Sequence, residues 1–149
     1  MLEFDGRLTD RLSSTEALIA IFSPRATIQR MLDVEAALAR ALASAGVIPG
    51  DAPGPIEAAC RAECIDADAL TRAAARAGNL AIPLVKLLTA AVAEQAPDAA
   101  KYVHWGATSQ DIIDTGMVLQ LRDALSAIDA QIASLGDVLA SLAERHRAT

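Results

Sequence analysis

Aromatic residues are scarce in this 149-residue chain, which holds two Phe, one Trp and one Tyr. β-Sheets draw heavily on aromatic and β-branched side chains. No run of alternating β-branched residues stands in for the missing rings, so strands are not expected. Cysteine is equally sparse, with only Cys60 and Cys64, four apart in a segment that reads as helix. Two neighbouring thiols make no disulfide framework. The expectation is two half-buried, inert thiols in a reducing cytoplasm. His104 and His146 are the only histidines, too few to complete a metal site with those thiols. Basic clusters are missing too. Thirteen Lys and Arg face nineteen Asp and Glu for a net charge of −6, with no stripe that a phosphate backbone would need, so no nucleic-acid partner is expected. The opening MLEFDGRLTDRL has no apolar core of a signal peptide. No apolar run reaches the roughly 18 residues of a membrane span, so no membrane partner is expected.

What the chain has is aliphatic residues: 53% of it is hydrophobic, much of that Ala and Leu. Ala loses no side-chain entropy in a helix and lets helices approach closely. The length fits one domain or part of a larger one. The expected architecture is all-α. The pattern predicts a short helix over Ser14–Phe22, capped by Ser13 or Ser14. A second helix runs from Pro24 to about Ala45, capped by Ser23, with Ile28, Met31, Leu32, Val34, Leu38 and Leu42 on a broad apolar face. Gly46 ends it. Further helices are predicted over Pro55–Cys64, over Ala67–Arg76 with Asp66 as cap, and over Ile82–Glu94. A helical turn is predicted over Pro97–Val103.

From Ser109 to Arg147 there is no proline, and Val118, Leu121, Leu125, Ile128, Ile132, Leu135, Leu139 and Leu142 repeat at spacings of three and four. This is a heptad seam on a helix of ~58 Å. An ordinary globular helix has roughly 10–14 residues. The expectation is that partner helices come from further sequence, from other subunits, or from both. A small N-terminal helical domain, residues 1–111, is expected to precede the start of a long-helix bundle, residues 112–149.

Immediately before the seam stands Lys101–Asp111, which holds the only Trp, the only Tyr and one of the two histidines. Thr108 or Ser109 can cap the long helix, with Asp111 placed to close a capping box. A helix start presents unpaired N–H groups and partial positive charge, a natural seat for a carboxylate or phosphate. Gly106 lets backbone come close to a ligand. Read locally, these residues need be no more than a cap, His104 no more than a structural histidine, and Asp114 no more than an exposed helical residue.

The run His104–Thr115, HWGATSQDIIDT, resembles the first signature of the fumarase/aspartase superfamily, close to His-x-Gly-x-Thr-Ser-x-Asp-x-x-Asp-Thr. His104, Gly106, Thr108, Ser109, Asp111, Asp114 and Thr115 fill every fixed position. Two further segments resemble the bacterial carboxymuconate cycloisomerase branch. They are Ile21–Ala26 with Met31–Ala41, and Ala77–Lys86, AGNLAIPLVK. Adenylosuccinate lyases usually carry His-Asp where Asn79-Leu80 stand here, which argues against a nucleotide substrate. The resemblance covers essentially the whole chain.

That resemblance implies a small helical domain followed by very long helices that assemble into a homotetramer with a twenty-helix core. It implies closure of 3-carboxy-cis,cis-muconate, a small tricarboxylate, into carboxymuconolactone during protocatechuate (β-ketoadipate) degradation, with no metal or organic cofactor. Thr108 and Ser109 would bind a substrate carboxylate, His104 would orient substrate or a neighbouring group, and Asn79 would line the pocket. Gln110 and Asp111 are further binding candidates. The catalytic acid and base are expected in signatures beyond Thr149, and each site would draw on three subunits. The 149 residues alone are expected to be inactive. Another superfamily lyase, such as adenylosuccinate lyase, and a non-catalytic helical oligomerisation module are the competing readings.

Overall fold

A computed structural model describes residues 10–148, with side chains from residue 12; the opening segment read above for a signal peptide lies largely outside them. The described residues form helices and turns with no strand, as composition implied. In order they are α1 (Asp10–Ser13), α2 (Glu16–Ile21), α3 (Pro24–Ser44), α4 (Pro53–Ala59), a 3-10 turn (Ala62–Cys64), α5 (Ala67–Ala77), α6 (Ala81–Gln95), α7 (Pro97–Ala100) and α8 (Ser109–Arg145).

Local chemistry sets most of the boundaries. Ser23 accepts from the Ala26 N–H and Pro24 opens α3. Asp66 accepts from the Ala69 N–H, and Gly78 closes α5 in the left-handed region at φ 64°. α2 departs from expectation. Its cap is Thr15, not Ser13 or Ser14, and Thr15 Oγ1 accepts from the Leu18 N–H.

The expected helix over Pro55–Cys64 is also corrected. α4 starts earlier, at Pro53, and ends at Ala59; the chain then breaks at Cys60-Arg61 before the 3-10 turn. Gln29 of α3 holds the break open. Its Nε2 donates to the Cys60 carbonyl at 3.1 Å and its Oε1 accepts from the Ala62 N–H at 2.9 Å. Groups that would have paired inside a continuous helix pair with this side chain instead. The two thiols are correspondingly unlike: Cys60 is buried and Cys64 exposed, where both were expected half-buried. Burial pushes the Cys60 thiol up to about 12, with Glu35, Asp33 and Glu57 adding to the rise.

The core gathers the apolar stripe of α3 (Ile28, Met31, Leu32, Ala36, Ala39) with Ile56 of α4, Leu70 of α5, Leu84, Leu88 and Val92 of α6, and Ile112 of α8. α8 crosses α3 along Ile112, Gly116, Gln120 and Ala124, which are its buried residues. The Gln120 Nε2 donates to the Ile21 carbonyl at 2.7 Å and to Thr27 Oγ1 at 3.0 Å, which ties the α2–α3 corner to α8. Arg30 adds a bridge, reaching Asp33 at 2.8 Å and Asp123 at 2.6 Å.

Beyond Ala124, α8 leaves its own chain. Its 37 residues span about 56 Å. The seam residues Val118, Leu121, Leu125, Ile128, Ile132, Leu135, Leu139 and Leu142 are all exposed. They lie on a different face from the buried row at Ile112, Gly116, Gln120 and Ala124. α8 also corrects the expectation about apolar length. It is long and apolar enough to cross a bilayer by length and composition, with an 18-residue stretch of mean hydropathy 1.2. Asp123, Asp129 and Asp137 interrupt the run that a simple scan looks for.

Candidate functional site

All the site candidates but Asn79 gather at the start of α8. The chain turns over Lys101–Gly106 and enters the helix through Thr108, which is extended at φ −103°, ψ 161°. The capping box is complete. Asp111 Oδ2 accepts from the Thr108 N–H at 2.7 Å and from the Thr108 hydroxyl at 2.8 Å, and Thr108 Oγ1 accepts from the Asp111 N–H at 3.3 Å. The Thr108 backbone bond, then its hydroxyl, hold the Asp111 carboxyl below the usual range, and His104 adds to the effect through space.

This box divides the roles of two adjacent hydroxyls. A helix start leaves four N–H groups without an intrahelical partner. The box satisfies those of Thr108 and Asp111. The N–H groups of Ser109 and Gln110 remain, beside a Ser109 hydroxyl that makes no hydrogen bond among the described residues. Two converging N–H donors and one hydroxyl, with the positive end of a long helix behind them, suit a carboxylate. Thr108, by contrast, has its hydroxyl committed to Asp111. Gln110 is committed as well: its Nε2 donates to Asp114 Oδ1 at 2.5 Å along the exposed face. Beside this start runs an open groove of about 430 Å³ between α3 and α8, with Val34, Leu38, Gly106, Ala107, Asp111 and Thr115 among its walls.

His104 enters the helix approach with φ 59°, the one non-glycine residue with positive φ among the described residues. Such a backbone costs of order 1–3 kcal/mol and persists where the surroundings enforce it. Gly106 follows at φ 73°, where glycine meets no such penalty. The imidazole Nδ1 of His104 lies 2.6 Å from Oε1 of Glu35. Glu35 is only 1% exposed. Burial raises its carboxyl above the usual range, while the bond and charge of His104 pull the other way. Glu35 is easily overlooked in the sequence because it sits inside the regular pattern of α3. Its signal was there nonetheless: Ile28, Met31, Leu32, Glu35, Ala36 and Ala39 form one helical stripe, and a lone carboxylate on it must be paired or costly.

Asn79 stands apart from this group. Its Oδ1 accepts from the Ile82 N–H at 3.1 Å and so caps the start of α6. No hydrogen bond among the described residues joins it to His104, Thr108, Ser109, Gln110 or Asp111. Tyr102 and Trp105 pack ring against ring, with centroids 5.6 Å apart, on the turn that carries His104. Among the described residues, no cluster of three His, Cys, Asp or Glu side chains could hold a metal ion.

A family model described as lyase matches residues 10–149. The 3-carboxy-cis,cis-muconate cycloisomerase of Bradyrhizobium diazoefficiens is 57% identical over 136 residues, covering 91% of this chain and 30% of the relative. The adenylosuccinate lyase of Methanothermobacter thermautotrophicus is 37% identical over 134 residues, covering 89% of this chain and 29% of the relative. The crystal structure of 3-carboxy-cis,cis-muconate lactonizing enzyme from Pseudomonas putida superposes with a TM-score of 0.89 at 54% identity, over 93% of this chain and 32% of that one. The chain spans about a third of the length of the curated relatives it matches.

Proposed function

This chain belongs to the lyase family, and on that premise we propose that its full-length protein is a 3-carboxy-cis,cis-muconate cycloisomerase. The observation that carries the proposal is the 57% identity to a cycloisomerase, against 37% to an adenylosuccinate lyase over a similar stretch. Asn79 and Leu80 in place of a His-Asp pair favour the same branch.

The reaction is an isomerisation. A substrate carboxylate oxygen adds to one carbon of a conjugated double bond, and a proton goes to the neighbouring carbon. No atom is lost, and neither metal nor organic cofactor is required. The start of α8 supplies charge binding: the N–H groups of Ser109 and Gln110 and the Ser109 hydroxyl take one carboxylate of the tricarboxylate substrate. A helix start contributes about 0.3–1 kcal/mol to such an anion at the surface, and up to about 2 when partly buried. His104 orients substrate or a neighbouring catalytic group, and Asn79 lines the pocket that the assembled protein completes. The acid and base that move the carbon-bound proton come from outside these 149 residues.

The exposed seam supports a homotetramer built through α8, and the net charge of −6 without a basic stripe favours no nucleic-acid partner. Free thiols at Cys60 and Cys64 support a cytoplasmic setting. The decisive experiment offers the full-length protein 3-carboxy-cis,cis-muconate and, separately, adenylosuccinate. Loss of the conjugated-diene absorbance with the first and no cleavage of the second is the expected result. Cleavage of adenylosuccinate, with carboxymuconate untouched, would overturn it.

A further inference from the structure

Glu35 is an expensive residue in the place it occupies. It lies on the apolar stripe of α3, is almost wholly buried, and makes one side-chain bond, to His104 Nδ1 at 2.6 Å. Its other oxygen, Oε2, is buried with no hydrogen-bond partner among the described residues. A buried polar pair with an unsatisfied atom is weak support for a fold, and an apolar residue of similar size is often neutral or better. The other half of the pair is costly too, since His104 holds a left-handed backbone. The two costs meet at the bond between Glu35 and the first residue of the motif. A strained backbone at a residue held by a buried carboxylate is a pointer to function.

The geometry points to Glu35 as the positioning residue of His104: its Oε1 fixes the imidazole through Nδ1 and leaves Nε2 as the ring nitrogen free to meet substrate or a neighbouring group. The ring has two nitrogens, and the bond that one makes determines what the other can do. A carboxylate at Oε1 requires the proton on Nδ1 and leaves an Nε2 lone pair on the neutral ring. The ring is not sealed in, for 18% of the side chain stays exposed. It stands on the turn that enters α8, four residues before the Thr108 cap. Two residues therefore act in series: α3 supplies a buried carboxylate, the carboxylate holds the ring, and the ring meets substrate or a neighbouring group.

This inference rests on the cycloisomerase reading, and its test separates the two. In the full-length protein, Glu35→Gln should lower kcat on 3-carboxy-cis,cis-muconate about tenfold or more, with KM within about threefold and assembly intact. In a His104→Gln background the same change should cost less than about twofold, because residues that act as a unit are not additive. A full additive loss in that background, or full activity of Glu35→Gln, would overturn the assignment. Nitrogen-15 spectra of the wild-type protein labelled only at histidine read the ring directly. Protonated Nδ1 with a free Nε2 is expected in the neutral ring, and the reverse tautomer would overturn the assignment even where Glu35→Gln fails to assemble. If wild type does not turn over carboxymuconate, the cycloisomerase reading falls and the spectra still decide the positioning claim.

Discussion

Gly116 of α8 lies against Met31 of α3 so closely that a Cβ there would stand 3.1 Å from Met31 Cγ and 3.4 Å from the Met31 backbone nitrogen. Glycine in a helix interior costs roughly 1 kcal/mol relative to alanine. Here it brings two backbones together at the crossing that carries Gln120 and the entry to the motif. A large side chain must push α8 away from α3. We expect Gly116→Leu to destabilise the full-length protein by about 2 kcal/mol, within the range for overpacking a tight core. Thermal unfolding at fixed protein concentration checks this, and an unchanged midpoint would refute the close approach.

Gln29 makes a different kind of structural contact, between a side chain and a broken helix. Replacing it with alanine strands the Cys60 carbonyl and the Ala62 N–H, a loss of about 2 kcal/mol for buried groups left unpaired. The loss should appear locally first. Amide exchange at Ala62 should accelerate in Gln29→Ala, with Leu84 and Leu88 of α6 still protected. Equal acceleration across α6 would mean that the break is not held by this residue.

The fate of that break marks what sequence could convey. Ser23, Asp66, Gly78 and the Thr108–Asp111 box announce helix ends through residues within a few positions, so pattern alone finds them. The end of α4 is satisfied from α3, about thirty residues away, and no window around Cys60 contains the cause. Ser13, Ser14 and Thr15 can all cap by residue type, and only the folded chain selects Thr15. The site divides the same way. Its helix-start half, from Thr108 to Asp111, is contiguous and legible. Its buried half is partly legible: the apolar stripe of α3 marks Glu35 as a carboxylate that needs a partner, but the partner, His104, lies 69 residues away and only the fold brings it there.

Asp111 gives the cap a pH signature. Its carboxyl is held below the ordinary aspartate value of 3.8 in the folded chain. A lowered carboxylate contributes stability that is fully present above the unfolded value and is lost as pH falls through the folded one. Between pH 6 and 4 the contribution should be constant, and below 3.8 it should fade. We expect Asp111→Asn to be less stable than wild type at pH 6 and to converge on it as pH drops below that point. Unfolding midpoints measured across this range test it, and parallel curves would exclude Asp111 as the cause.

The exposed seam of α8 leads to a prediction about assembly. Ile132 and Leu139 sit beyond the part of α8 that touches its own chain. Replacing both with lysine should leave the α3–α8 core intact and disrupt oligomers of the full-length protein, because two charges then face a dry helical interface. Light scattering coupled to size-exclusion chromatography should show a smaller species that keeps its helical circular dichroism. An unchanged assembly would place the interface on another face.

Thr108 and Ser109 are adjacent hydroxyls with opposite expected behaviour. Thr108 is bound into the box through both its backbone and its side chain, so Thr108→Ala should lower stability by about 1 kcal/mol, the usual value of an N-cap. Ser109 follows the cap and has no hydrogen-bond partner among the described residues, so Ser109→Ala should leave the unfolding midpoint within error. Its loss should fall on substrate instead. One hydroxyl donor to a carboxylate is worth about 1.5–3 kcal/mol, or roughly ten- to a hundredfold in kcat/KM. Steady-state kinetics and thermal unfolding on the same two variants separate the roles. The assignment fails if Ser109→Ala is fully active, for then the carboxylate seat is made by backbone alone. It also fails if Ser109→Ala loses stability and activity together, since that would make the second hydroxyl part of the cap.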